Sequence, residues 1–278
     1  MKILLLAAFG FAVASTGSTS AVENGPIAYS TGDAIFVLGD GTETPVTGAS
    51  GGSWPAWSPD GTKMAYTSIR RDGLFVMNAD GTGATRVTRS PTIDLQPVWS
   101  PDGRRLAFAR TVPGFNTEIY VVGVDGKGLR RLTRNRGQDA EPSWAPNGKR
   151  IAWSFGATRT GSTSGIYTMN PDGSAKRFRG AGIAPDWSPD GQRFVFALDG
   201  DLWTSLVTGA EREPLAMAPA VDARPQWSPD GTQIAFLSSQ GSPTDQYRLW
   251  RIDVGGTNRR LLTPGRDTVS SFSWGRRT

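Results

Sequence analysis

Gln96-Pro97-Val98-Trp99-Ser100-Pro101-Asp102-Gly103 is one copy of a phrase that recurs through the whole chain. Its tryptophan belongs to a series, Trp57, Trp99, Trp144, Trp187, Trp227 and Trp274, spaced 42, 45, 43, 40 and 47 residues apart. Trp-Ser-Pro-Asp-Gly follows in full from Trp57, Trp99, Trp187 and Trp227. It reads Trp144-Ala145-Pro146-Asn147-Gly148 once and stops at Trp274-Gly275. A proline stands two residues before the tryptophan in five copies (Pro55, Pro97, Pro142, Pro185, Pro225), and Phe272 takes its place in the sixth. A repeat of this length is the signature of a propeller blade, one four-stranded sheet that buries its faces only against its neighbours.

Each repeat spells out four short strands. The first carries the tryptophan. Pro-Asp-Gly then reverses the chain, Pro setting φ at the start of the turn and Gly supplying the positive φ at its end. The second strand alternates large, small and aromatic residues, as in Met64-Ala65-Tyr66, Leu106-Ala107-Phe108 and Ile234-Ala235-Phe236, a pattern suited to a sheet packed between two others. A third strand follows, such as Ile119-Tyr120-Val121-Val122, then a second Gly turn and a fourth strand ending in Val87-Thr88, Leu132-Thr133 or Leu262-Thr263. No helical period is visible. The chain ends are complementary: Ile27-Ala28-Tyr29-Ser30 begins a blade that lacks its tryptophan strand, and Ser271-Phe272-Ser273-Trp274 supplies one. The expected fold is therefore all-β, a six-bladed β-propeller over residues 26–278, four antiparallel strands to a blade, closed by the C-terminal strand against the N-terminal ones.

The repeated Pro-x-Trp-Ser-Pro-Asp-Gly followed by a large residue, Ala and an aromatic resembles the WD-like repeats of TolB-type six-bladed propellers, periplasmic proteins of a cell-envelope system. The resemblance covers residues 24–278. It implies a scaffold that binds protein or peptide in the cell envelope or outside the cell. TolB carries an α/β domain ahead of its propeller, and this chain is expected to lack it, its first blade opening at Pro26.

The first residues read as an export signal. Lys2 is the positive start, residues 3–13 are apolar, and Ala12-Val13-Ala14 fits a cleavage site, with Ala21 as an alternative. The apolar run is shorter than the ~20 residues of a membrane span. A signal peptide at 1–14, a flexible tail at 15–25 and a monomeric periplasmic or extracellular protein without an integral span are expected. The 35 Gly and 19 Pro fall at periodic turn positions, which argues for tight turns and not for disorder. The net charge is +5 and the pI near 9.8, compatible with weak attraction to anionic surfaces. The pairs Arg104-Arg105, Arg130-Arg131 and Arg259-Arg260 are spread around the ring, as expected of basic residues guarding outer strands, and nucleic acid is not an expected partner.

The chain contains neither His nor Cys, which removes Ser-His-Asp and Cys-His nucleophiles as well as thiolate and imidazole metal sites. Gly48-Ala49-Ser50-Gly51-Gly52 matches the hydrolase elbow G-x-S-x-G in letters only, since no strand–turn–helix context surrounds it. No catalytic residue, metal or cofactor is expected. The enzymatic alternative is a glycan- or lactone-cleaving propeller that uses loop carboxylates.

The turns after strands one and three are uniform, whereas the connections after strands two and four vary in length: 48–54, 111–117, 134–141, 156–165 and 239–247. Variable loops on one side of a rigid disc are where binding is expected. Asp94, Asp139 and Asp222 each stand five residues before a tryptophan and are placed at the mouth of the central channel, either holding a ligand or tying down their own loops. Trp54, Phe115, Asp139, Glu141, Arg224 and Tyr247 make up the expected partner-binding face, Trp54 and Phe115 being its aromatic anchors.

Overall fold

The computed structural model describes residues 22–32, 34–46, 51–68, 73–114, 116–156, 164–217, 219–242, 246–266 and 268–277. The expected signal peptide and most of the expected flexible tail lie outside these residues, as does Phe115.

Six four-stranded antiparallel sheets form a closed ring. Blade 1 comprises β1 (Asn24–Thr31), β2 (Ala34–Gly39) and β3 (Thr42–Pro45), with the last strand of the chain, β24 (Ser271–Arg276), as its innermost member. Blade 2 holds β4 (Gly52–Trp57), β5 (Lys63–Ser68), β6 (Gly73–Asn78) and β7 (Thr85–Arg86). Blade 3 holds β8 (Asp94–Trp99), β9 (Arg105–Val112), β10 (Asn116–Gly123) and β11 (Arg130–Arg131). Blade 4 holds β12 (Gln138–Trp144), β13 (Ile151–Gly156), β14 (Gly165–Met169) and β15 (Arg177–Ala181). Blade 5 holds β16 (Ile183–Trp187), β17 (Arg193–Leu198), β18 (Asp201–Leu206) and β19 (Glu213–Ala216). Blade 6 holds β20 (Asp222–Trp227), β21 (Gln233–Ser238), β22 (Arg248–Asp253) and β23 (Arg260–Leu261).

The ring closes as expected, with β24 antiparallel to β1, Ile27 opposite Trp274 and Tyr29 opposite Phe272. The first strand starts two residues earlier than the sequence pattern suggests. Asn24 pairs with Arg276 across a bulge, so Asn24 and Gly25 belong to the blade and not to a tail.

The large–small–aromatic pattern of the second strands is the core. Tyr66, Phe108, Phe194, Phe196 and Phe236 are fully buried, and each cluster of apolar residues joins the facing sheets of two blades. Trp99, for instance, packs with Ala65, Leu74 and Val76 of the preceding blade, and its indole N–H donates to the Ala56 carbonyl at 2.9 Å. The tryptophan thus locks its own blade to the previous one.

The Ser-Pro-Asp-Gly turns are self-contained hydrogen-bond units. In the copy beginning at Ser100, the hydroxyl donates to Asp102 at 2.5 Å, the Arg104 amide donates to the same carboxylate, and Gly103 N–H donates to the Ser100 carbonyl. Ser58–Asp60, Ser188–Asp190 and Ser228–Asp230 repeat the hydroxyl–carboxylate bond.

Candidate functional site at the channel mouth

The inner strands β4, β8, β12, β16 and β20 share a distortion that the sequence does not advertise. Three residues before each tryptophan, Trp54, Gln96, Glu141, Ala184 and Arg224 have φ between 51° and 56°, and each strand slips its register there. Left-handed conformation in a non-glycine residue is costly, so all five sites need compensation. Part of it comes from the next residue, a proline with no N–H to lose. The rest comes from side chains of the preceding blade. Ser271 Oγ accepts the Trp54 amide at 3.0 Å, Gln96 Oε1 that of Glu141 at 2.8 Å, and Glu141 Oε2 that of Ala184 at 2.9 Å.

These residues and Ser271 form an upper belt around the channel, lining a cavity of about 120 Å³. A lower belt, one residue before each tryptophan, repeats the device. Ser273, Asp186 and Gln226 accept the backbone amides of Trp57, Trp227 and Trp274 at 3.1, 2.9 and 2.8 Å, and Ser143 donates to Asp186 at 2.9 Å. Burial pushes the Asp186 carboxyl up to about 6, against the pull of the amides and the hydroxyl that bond it. Beyond this belt the channel opens on the tight-turn side into a cavity of about 340 Å³, framed by the tryptophans and the turn prolines.

Arg224 spans the upper mouth. Its guanidinium donates to the Ser270 carbonyl at 2.6 Å, lies 4.2 Å over the Trp54 ring and reaches Glu141 at 3.6 Å. Blade 6 is thereby tied to blades 1, 2 and 4. Burial depresses the Arg224 pKa, only partly offset by the nearby Glu141 and Tyr247. Trp54, Glu141, Arg224 and Tyr247 are half-buried, the first three lining one cavity. Trp54 is not a loop residue, because β4 runs through it; likewise β12 carries Asp139 and Glu141. The expected 111–117 loop is largely a continuation of the β9–β10 hairpin, in which Thr111 pairs with Thr117.

Asp94, Asp139 and Asp222 do not ring the mouth as exposed carboxylates. All three are buried, because at the start of each inner strand the side chain turns into its blade. Asp94 takes a two-bond fork from Arg110 (2.6 and 2.8 Å) and a bond from Thr88. Asp222 takes the same fork from Arg259, both bonds at 2.8 Å. In blade 4 the position across from Asp139 is Phe155, not an arginine, and Asp139 takes its hydrogen bonds from Thr133, Trp153 and Asn135, all uncharged donors. Burial and the nearby Glu118 push its carboxyl upward. Arg131 and Arg105, expected as edge guards, also turn inward, Arg131 onto Glu118 at 2.8 Å and Arg105 over the Trp144 ring at 4.9 Å. Ala184, Ser271 and the whole lower belt were missed from sequence. Reading the aligned repeats column by column, one and three residues before the tryptophan, would have found them.

A closed ring of six Trp-marked blades with a belted polar channel defines a six-bladed β-propeller. The family model described as the TolB beta propeller domain matches residues 53–178. TolB from Acinetobacter baumannii superimposes with a TM-score of 0.76 at 20% identity, over 90% of this chain and 66% of that one. A TolB-type protein from Agrobacterium tumefaciens gives 0.68 at 23% identity, over 87% and 89%. An oligogalacturonate lyase in complex with manganese gives 0.58 at 16% identity, over 80% and 73%. No curated protein matches the chain in sequence. Among the described residues no helix is long and apolar enough to cross a membrane, and no group of three metal-ligating side chains occurs.

Proposed function

We propose that this is an exported, non-catalytic propeller whose upper channel mouth docks a protein segment, one that presents an acidic side chain or chain terminus to Arg224. The observation that carries this reading is the state of Arg224. It is a partly desolvated cation, stacked on Trp54, whose one carboxylate contact is no closer than 3.6 Å, at an open cavity. Arginine paired with an aromatic at a cavity rim is the chemistry of an interface anchor. Apolar residues stand exposed where strands enter or leave the same side of the disc: Ile93, Ile183, Met217 and Val221, with Met217 at 68% exposure. A protein surface, rather than a small polar ligand, suits that surrounding.

The experiment is capture of partners from native envelope extract on immobilised protein. Arg224→Gln and Trp54→Ala should each reduce capture at least about tenfold, the worth of one charge-assisted contact. Asp102→Ala, on the opposite side, should bind as the parent does. Equal capture by all three variants would overturn the assignment. The lyase likeness favours a second reading, glycan cleavage by loop carboxylates. Against it, Asp94 and Asp222 are each consumed by an arginine fork. Turnover of glycosides, oligogalacturonate or lactones would establish it.

A further inference from the structure

Arg110 and Arg259 are each matched by a buried aspartate, but a group of arginines on the flank of blade 4 is not. Thr168 of β14 pairs with Ala152 of β13 on one side and Arg177 of β15 on the other, so these three share a sheet face. Arg150 lies two residues before Ala152 and so falls on that face. Arg179 joins it through a register slip in β15, donating from Nε to Thr168 Oγ1 at 2.9 Å. Phe178, between the two arginines, turns to the other face and packs on Tyr167. Ala152 and Ile166 on the shared face contact Trp187, Phe194 and Phe196, so the arginines line the outer part of the cleft between blades 4 and 5.

Among the described residues no ion pair involves Arg150, Arg177 or Arg179. The carboxylates of the flanking turns are engaged elsewhere: Glu211 and Glu213 face Arg193, and Asp172 is held by Ser174. Arg150 Nη1 is buried without a partner. Burial and the like charges of Arg177 and Arg150 hold the Arg179 guanidinium below its usual range. Guanidinium groups drawn together without a counter-charge repel one another, and an orphaned buried N–H carries a desolvation cost. A multivalent oxyanion relieves both, and arginine forks match phosphate geometry.

We propose that Arg150, Arg177 and Arg179 form a phosphate-binding site in the outer cleft between blades 4 and 5, away from the channel mouth and independent of its function. The phosphate is carried either by a soluble phosphomonoester or by a lipid headgroup. The test is calorimetric titration with inorganic phosphate at constant ionic strength, beside co-sedimentation with phosphatidylcholine vesicles that do or do not contain phosphatidic acid. Arg177 is exposed, so Arg177→Gln should fold normally, and Arg104→Gln, exposed on blade 3, removes one charge elsewhere. Saturable phosphate binding should weaken at least about tenfold in Arg177→Gln and stay unchanged in Arg104→Gln. Vesicle capture with the same variant pattern names the headgroup as the source; phosphate binding without it names the soluble ester. Equal losses in both variants, or no binding in either arm, would overturn the proposal.

Discussion

Single carboxylates in this molecule divide sharply by environment, and that division sets its response to pH. Asp186 is ionised with difficulty because its only compensation in the channel wall is the Ser143 hydroxyl and two backbone amides. Its pKa of about 6 lies above the unfolded value near 3.9, so the folded state holds its proton more tightly. The penalty is absent below about pH 4, grows as pH rises, and is complete above about pH 6, with an upper bound of about 3 kcal/mol. Asp139, pushed up by burial and Glu118, acts in the same direction. The turn carboxylates Asp60, Asp102 and Asp190 do the reverse. Their pKa values are lowered by the hydroxyls of Ser58, Ser100 and Ser188, so the stability they contribute is present above about pH 4 and is lost as pH falls further. Urea unfolding should therefore show greatest stability at about pH 4 to 5 and a decline toward neutral pH. Asp186→Asn keeps an acceptor for the Trp227 amide and should flatten the decline above pH 5; profiles that stay parallel would refute this account. The turn carboxylates bond within their own turns, but the state of Asp186 was not legible, because Ser143 and Trp227 reach it from the neighbouring blades. Asp94, Asp139 and Asp222 occupy one column of the repeat, yet Arg110 and Arg259 reach two of them and Phe155 replaces the arginine for the third.

At the scale of strands and turns the repeat was readable almost throughout. The periodic Trp, the Pro-Asp-Gly reversals and the apolar alternation correspond to β4 through β23, because each feature acts within its own hairpin. The exceptions are informative. Trp54 and Glu141 look like loop residues because proline follows, but a left-handed residue before proline is a bulge inside an inner strand, and nothing local distinguishes the two. The second Gly turn has a comparable hidden reason. A Cβ on Gly209, at φ 93°, would stand 2.0 Å from the Arg179 carbonyl of the previous blade, and one on Gly256 would stand 2.6 Å from that of Leu215. Glycine is needed there because two blades touch. Gly209→Ala should thus cost more than the roughly 1 kcal/mol of a left-handed alanine alone, since the blade 4–5 contact must open. Asp102→Ala removes hydrogen bonds from a self-contained turn and should cost about 1–2 kcal/mol without disturbing neighbours. Thermal melts of the two variants, with the Gly209 change the more damaging, would separate inter-blade contact from turn chemistry.

For the whole ring, stability depends on a strand that is last in sequence and innermost in blade 1. β24 does more than cap an open edge. Ser271 and Ser273 accept the amides of Trp54 and Trp57, and the Trp274 amide donates to Gln226 Oε1, so β24 links blades 6, 1 and 2 through both belts. Its Trp274 and Phe272 pack into the cluster that joins blade 6 to blade 1, with Tyr29, Leu237 and Leu249. Removal of residues 271–278 would expose edges on β1, strip both belts of one member and lose the half-buried Trp274, for which the ~3–5 kcal/mol of a fully buried aromatic is an upper bound. That is a large share of the ~5–15 kcal/mol that holds a domain together. The truncated chain should unfold at lower urea concentration and with a broadened transition, as the blades begin to melt from the open end. Addition of a synthetic peptide spanning 268–278 should restore part of the loss, because the register from Ile27–Trp274 to Ser30–Ser271 leaves a defined slot for it. An unchanged, sharp transition in the truncated protein would show that closure contributes little, and that adjacent blade contacts alone sustain the ring.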